Sequence, residues 1–132
     1  MSSIGTTVRT WKIQPGTIGL WILRLVLTAE FAAAGIMKLA GNEQMVAMFG
    51  ELGTGQWLRY AVGVLEIAGA LGLLIPRLCG LAALGLAALM TGAALTNAFV
   101  LDVSPAVPLA MLAVAGLVAW FRRSTIQALF RR

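Results

Sequence analysis

The chain has 132 residues, of which 60% are hydrophobic and 11% charged, and its mean hydropathy is +0.91, whereas soluble domains carry about 45–50% apolar and about 25% charged residues. The net charge of +5 comes from basic residues at the ends of apolar segments, a pattern that indicates membrane orientation and argues against nucleic-acid binding. Histidine is absent and Cys79 is the single cysteine, which excludes His-ligated haem or iron, a His general base, an internal disulfide and a CxxC motif.

Four apolar segments have the length and composition of membrane-spanning helices. About 20 apolar residues are needed to cross roughly 30 Å of hydrocarbon. Pro15-Gly16 is a helix-start signal before the first segment, and Pro76 stops the second. The sequence therefore predicts an all-α, integral membrane four-helix bundle over residues 17–121, with spans at about 17–39, 57–75, 78–100 and 106–121.

The stretch between the first two spans predicts a short interfacial helix. Its apolar residues recur at i, i+3, i+4 and i+7 and so share one helical face: Met45, Met48, Phe49 and Leu52. Asn42 is placed to cap this helix, and a Gly-Thr-Gly sequence at 53–55 ends it. We expect the helix to lie over one end of the bundle.

Residues 1–16 and 122–132 are basic tails. The two tails and the turn at 76–77 hold the following Lys and Arg residues: Arg9, Lys12, Arg77, Arg122, Arg123, Arg131 and Arg132. Only Lys38 and Arg59 fall on the opposite side, so the positive-inside rule predicts that both termini are cytoplasmic. The apolar side of the C-terminal tail is typical of a helix at the membrane surface, and a bacterial inner membrane is the expected location.

The first span contains three charged residues, Arg24, Glu30 and Lys38, and the second contains Glu66. Each charge near the bilayer centre costs about 2.5–3.5 kcal/mol on insertion scales, so these side chains must snorkel, pair or line a cavity. At 1.5 Å per residue, Glu30 and Glu66 fall near the midplane, and Lys38 and Arg59 fall at the rim, where they can snorkel. We expect Arg24 to pair with Glu66. This pair would either mark a polar site or lock the register of two helices, and Glu30 would face the same cavity or stay protonated.

Thr91 and Asn97 of the third span are further candidates for hydrogen bonds inside the membrane, although such residues more often serve helix–helix contacts. No constellation in the sequence predicts a metal site or a catalytic residue. The predicted intramembrane ligand site therefore consists of Arg24, Glu30, Lys38, Glu66, Thr91 and Asn97.

A resemblance to a known family rests on three features that follow one another along the chain. They are Arg24, the sequence E-F-A-A-A-G-I-M-K-L at 30–39 and the sequence G-V-L-E-I-A-G-A-L-G-L-L-I-P at 63–76. Over about residues 20–120 this pattern resembles the DoxX and DoxX-like membrane proteins, which implies the same four-span layout. The residues that match the family pattern are Arg24, Phe31, Gly35, Lys38, Leu39, Glu66 and Gly69. Many members carry a His near the end of the third span, where this chain has Thr96-Asn97.

The resemblance also implies a range of roles, since family members include a subunit of a thiosulfate:quinone oxidoreductase, partners in thiol-redox membrane complexes and, more distantly, assembly chaperones. We expect an accessory or anchoring subunit beside a redox-protein partner, with no covalently bound cofactor and a pocket for a quinone headgroup or a lipid. The alternatives are a proton-linked or solute transporter acting as a homo-oligomer, and an assembly factor whose ion pair is purely structural. A stand-alone enzyme is disfavoured because the chain lacks His and a usable thiol.

Overall fold

A computed structural model describes residues 15–131, and these form six helices. The helices are α1 (Pro15–Ala40), α2 (Glu43–Leu52), α3 (Trp57–Leu74), α4 (Cys79–Phe99), α5 (Ala106–Phe121) and α6 (Arg123–Phe130). The first, third and fourth are each long and apolar enough to cross a membrane, and α5 reaches that length only together with α6, from which it is bent by 62°. The all-α bundle is thus confirmed. The orientation of the termini stays a prediction, and residues 1–14 of the predicted N-terminal tail lie outside the described residues.

Local signals in the sequence set the ends of α2. The Asn42 side-chain oxygen accepts hydrogen bonds from the backbone N–H groups of Gln44 (3.0 Å) and Met45 (3.4 Å), which confirms Asn42 as the cap. Gly53 ends the helix in the left-handed conformation with φ +73°, a backbone state that glycine adopts without a Cβ penalty. The short helix is therefore fixed at both ends.

α1 and α3 run antiparallel and pack closely against each other. A Cβ atom on Gly35 would lie 2.8 Å from Ile67 Cγ1 and 2.9 Å from the Gly63 carbonyl oxygen. The absence of side chains on both glycines lets the two backbones approach closely, as in other small-residue membrane interfaces. α4 packs against α5, and the shared core is filled by buried residues that include Leu27, Phe31, Leu73, Ala83, Leu86 and Val118. This arrangement places Lys38 of α1 next to Glu66 of α3.

Candidate functional site: an intramembrane cavity with a buried ion pair

A cavity of about 570 Å³ opens within the bundle, under α2 and beside the end of α4 and the start of α5. Its walls are mostly apolar, and the apolar face of α2 supplies Met45, Met48, Phe49 and Leu52. Four polar side chains also line it: Lys38, Glu66, Thr96 and Asn97. A volume of this size, a mostly apolar lining and a few convergent polar groups are general features of small-molecule sites.

Lys38 and Glu66 form an ion pair at the wall of this cavity. The Lys38 Nζ atom lies 2.9 Å from Glu66 Oε1, and the two side chains are 13% and 3% exposed. At this distance the ammonium and the carboxylate oxygen make a charge-assisted contact. The ion pair therefore lies at the cavity wall, with Glu66 Oε1 buried against the Lys38 ammonium.

The predicted pairing of Arg24 with Glu66 is wrong, and side-chain direction explains why. The α1–α3 register places Arg24 opposite Leu73 and Gly35 opposite Gly63. Arg24 and Lys38 are therefore each about 10 Å in level from Glu66, in opposite directions. Side chains in a helix tilt toward its N-terminus. On antiparallel helices, Lys38 and Glu66 consequently tilt toward each other, whereas Arg24 and Glu66 tilt apart.

Arg24 caps the C-terminal end of α3 instead. Its Nε–H donates a 2.8 Å hydrogen bond to the carbonyl oxygen of Leu73, one of the last four carbonyls of α3, which have no partner within the helix. The guanidinium lies 3.7 Å from the ring centroid of Trp21, a cation–π contact. The residue is 2% exposed, so Arg24 is a buried charge as expected, but its partner is a backbone carbonyl and not Glu66.

Arg59 is a buried charge that the sequence interpretation missed, having placed it at the rim. It is 4% exposed, and its Nη1 donates to the carbonyl oxygen of Lys38, near the end of α1. Its Nε–H donates to Gln56 Oε1 at 2.7 Å. An Arg in the first turn of α3, beside the end of an antiparallel α1, is the signal that could have predicted this contact, since cations are favoured at helix C-termini.

The other predicted site residues divide between the cavity and the outer surface. Asn97 lines the cavity, and its amide nitrogen donates to the Ser104 carbonyl at 3.2 Å, which ties the end of α4 to the following turn. Thr91 faces outward and donates to the Ala87 carbonyl of its own helix at 2.9 Å. Glu30 also faces outward, so it does not share the cavity with Glu66. The structure thus brings together Lys38, Glu66 and Asn97, and separates Arg24, Glu30 and Thr91 from them.

The cavity is suited to bind a molecule that has a polar group attached to an apolar body. The Lys38 ammonium is a donor and the Glu66 carboxylate an acceptor, and methionine side chains adapt to irregular apolar shapes. Among residues 15–131, no three His, Cys, Asp or Glu side chains are grouped to hold a metal ion. Cys79 is a free thiol buried at the start of α4, outside the cavity lining.

Apolar helices long enough to span a bilayer, packed around a cavity with a buried ion pair, define a multi-pass membrane protein. The model of the DoxX-like family matches residues 22–121, and the chain belongs to this family. No curated protein and no solved structure gives a significant match to the chain.

Proposed function

We propose that the protein is an accessory subunit of a redox-linked membrane complex and that its cavity holds the polar head of a lipophilic molecule, a quinone or a lipid. The observation that carries this proposal is the position of the Lys38–Glu66 pair. Both side chains line a cavity of about 570 Å³. Ionisable residues inside a membrane mark functional sites by default, and this pair also has a space for a ligand beside it.

The donors and acceptors at the cavity fit a ligand with carbonyl or hydroxyl oxygens. A carbonyl oxygen would accept from the Lys38 ammonium, and a hydroxyl would donate to the Glu66 carboxylate. The apolar walls would hold a ring or chain, with the methionines of α2 covering it. The chain has no histidine, so electron transfer would belong to the bound molecule or to a partner protein.

The test begins with purification of the full chain in mild detergent and native mass spectrometry of the small molecules and proteins that accompany it. Binding of a short-chain benzoquinone and of a short-chain phospholipid is then measured by calorimetry on wild type, Glu66→Gln and Thr91→Val. Thr91→Val is the matched control, because Thr91 faces outward on α4 while Glu66 faces the cavity. We expect saturable binding that Glu66→Gln weakens by about tenfold or more and Thr91→Val leaves unchanged.

Other outcomes of these experiments would distinguish a packing role, a transporter and a ligand-binding protein without a partner. Failure of both probes to bind would contradict the ligand-binding proposal and leave the ion pair as a packing feature. Proton or solute flux in vesicles that is lost in Glu66→Gln would establish a transporter. A ligand without any stoichiometric partner protein would retain the binding site and remove the accessory-subunit part of the proposal.

A further inference from the structure

Another cavity, of about 490 Å³, lies between α3 and α4, and we call it the α3–α4 groove. Every residue that lines it is Leu, Ala or Gly, so its walls are apolar. Leu65 and Leu81 of this lining are exposed, which shows that the groove opens on the outside of the bundle. A Cβ atom on Gly85 would meet nothing within 4 Å. The groove is therefore an apolar space that no described side chain fills at Gly85.

The length of the groove matches one leaflet of a membrane. Along α4 it extends from Leu78 to Leu89, which is 11 residues (89 − 78) or about 16 Å at 1.5 Å per residue. The hydrocarbon core of a bilayer is about 30 Å thick, so one leaflet supplies about half of that. The turn at 75–78 joins the two walls at one end of the groove. The groove thus runs from an end of the bundle to about the middle of the membrane, the range of one acyl chain.

The end of the groove at this turn is cationic. Arg77 is exposed on the turn, and Arg122 Nη2 donates a 3.1 Å hydrogen bond to the Pro76 carbonyl oxygen, which brings a second guanidinium to the turn. The described stretches at this end of the bundle, 15–24, 73–79 and 119–131, contain no Asp or Glu. Guanidinium groups match the geometry of phosphate oxygens, and basic clusters at a membrane surface attract anionic lipids. This end of the groove is therefore complementary to a phosphate group.

We propose that the α3–α4 groove binds an anionic phospholipid, with one acyl chain along Gly85 and the phosphate group at Arg77 and Arg122. The charges favour a lipid over a second copy of the chain. Copies inserted in the same direction would bring their arginines to the same level, where like charges repel. The inference concerns the outer surface of the bundle and does not rest on the proposed function of the cavity that Lys38 and Glu66 line.

The test for the phosphate contact measures binding of phosphatidylglycerol and of zwitterionic phosphatidylcholine to the delipidated full-length chain, by native mass spectrometry in a nonionic detergent. We expect one phosphatidylglycerol to bind about fivefold more tightly than phosphatidylcholine. Arg77→Gln should remove most of that preference. Arg123→Gln is the matched control, because it removes the same charge from the same end while the Arg123 guanidinium lies over the Trp120 ring, 4.2 Å from its centroid. It should leave the preference within about twofold of wild type.

The test for the acyl chain fills the groove. Gly85→Leu adds a side chain where a Cβ atom has open space, so it should weaken both lipids by about tenfold and leave the preference between them unchanged. Gly116→Leu is the control, because a Cβ atom on Gly116 also meets nothing within 4 Å and Gly116 lies outside the groove lining. Thermal unfolding of each variant checks the fold. Arg77 lies on an exposed turn, so Arg77→Gln keeps the test decisive if Gly85→Leu is unstable.

Several results would overturn the proposal. Equal affinity for the two lipids, or equal effects of Arg77→Gln and Arg123→Gln, would remove the phosphate site. Unchanged lipid binding in Gly85→Leu would remove the acyl chain from the groove. A wild-type dimer that binds no lipid, and that Gly85→Leu dissociates, would assign the groove to a second copy. Phosphatidylglycerol binding that is lost in Glu66→Gln would place the lipid in the other cavity, because Glu66 lines that cavity and not the groove.

Discussion

Arg24 and Arg59 cap each other's helices. Arg24 on α1 donates to the Leu73 carbonyl near the end of α3, and Arg59 on α3 donates to the Lys38 carbonyl near the end of α1. Both arginines are buried, and both lie beside the negative end of a helix dipole. A hydrogen bond from an arginine to a backbone carbonyl therefore ties α1 to α3 at each end of the pair. Lys38 and Glu66 are the charges that line the cavity.

The first prediction concerns Arg24. Arg24→Met removes the donor to Leu73 and the contact with Trp21, and it should lower the free energy of unfolding by about 1.5–3 kcal/mol, the range for a hydrogen bond to a charged group. Arg24→Lys should recover little, because an ammonium cannot reproduce the planar contact with the ring. Unfolding in a mixed-detergent titration measures both. A double-mutant cycle with Glu66→Gln should give coupling below about 0.5 kcal/mol, and a larger value would mean that the two side chains do interact.

The second prediction concerns the ion pair. Lys38→Met leaves a carboxylate that is 3% exposed without its cation, and it should destabilise the protein by about 3–5 kcal/mol. The double variant Lys38→Met/Glu66→Leu should recover most of that loss, since a buried pair replaced by apolar residues is often neutral. Thermal unfolding of the single and double variants measures both losses of stability. Equal losses in both would indicate that Lys38 stabilises the fold by other contacts.

The third prediction concerns the contact between α1 and α3. Gly35→Ala places a Cβ atom 2.9 Å from the Gly63 carbonyl oxygen, so the helices must move apart, at a cost of about 1–3 kcal/mol. Gly85→Ala is the matched control, because its Cβ atom would meet nothing within 4 Å. Chemical denaturation should show a loss for Gly35→Ala alone. Comparable losses in the two variants would argue against close packing at Gly35.

The fourth prediction concerns the cover of the cavity. Asn42→Ala removes the acceptor for the first turn of α2 and should cost about 1 kcal/mol of helix stability, while Asn42→Ser should retain most of the cap. Hydrogen exchange of residues 43–52 should accelerate in Asn42→Ala, with α1 and α3 unaffected. Unchanged protection of α2 would show that its packing on the bundle, and not the cap, holds it in place.

Helix positions followed from the sequence because they depend on local signals. Apolar length marks the spans, Pro15 and Pro76 mark a start and a stop, and Asn42 marks a cap. Each of these acts within a few residues, so the bundle and the short helix could be predicted without tertiary information.

The partners of the buried charges could not be predicted from the sequence, because they depend on helix register and side-chain direction. Depth alone made Arg24 an acceptable partner for Glu66, and only the antiparallel register of α1 and α3 shows that their side chains tilt apart. The burial of Arg59 and the outward position of Glu30 were missed for a related reason, since hydropathy gives the depth of a residue but not which neighbour it faces.

The hydrogen bond from Arg24 to Leu73 spans 49 residues of sequence, and the ion pair of Lys38 spans 28 (66 − 38). During synthesis α1 therefore leaves the ribosome with two cations whose partners have not yet been made. On its own it is a poor candidate for release into lipid, since each charge costs about 2.5–3.5 kcal/mol on insertion scales. We therefore expect α1 to be retained at the translocon until α3 emerges, so that the two helices integrate together.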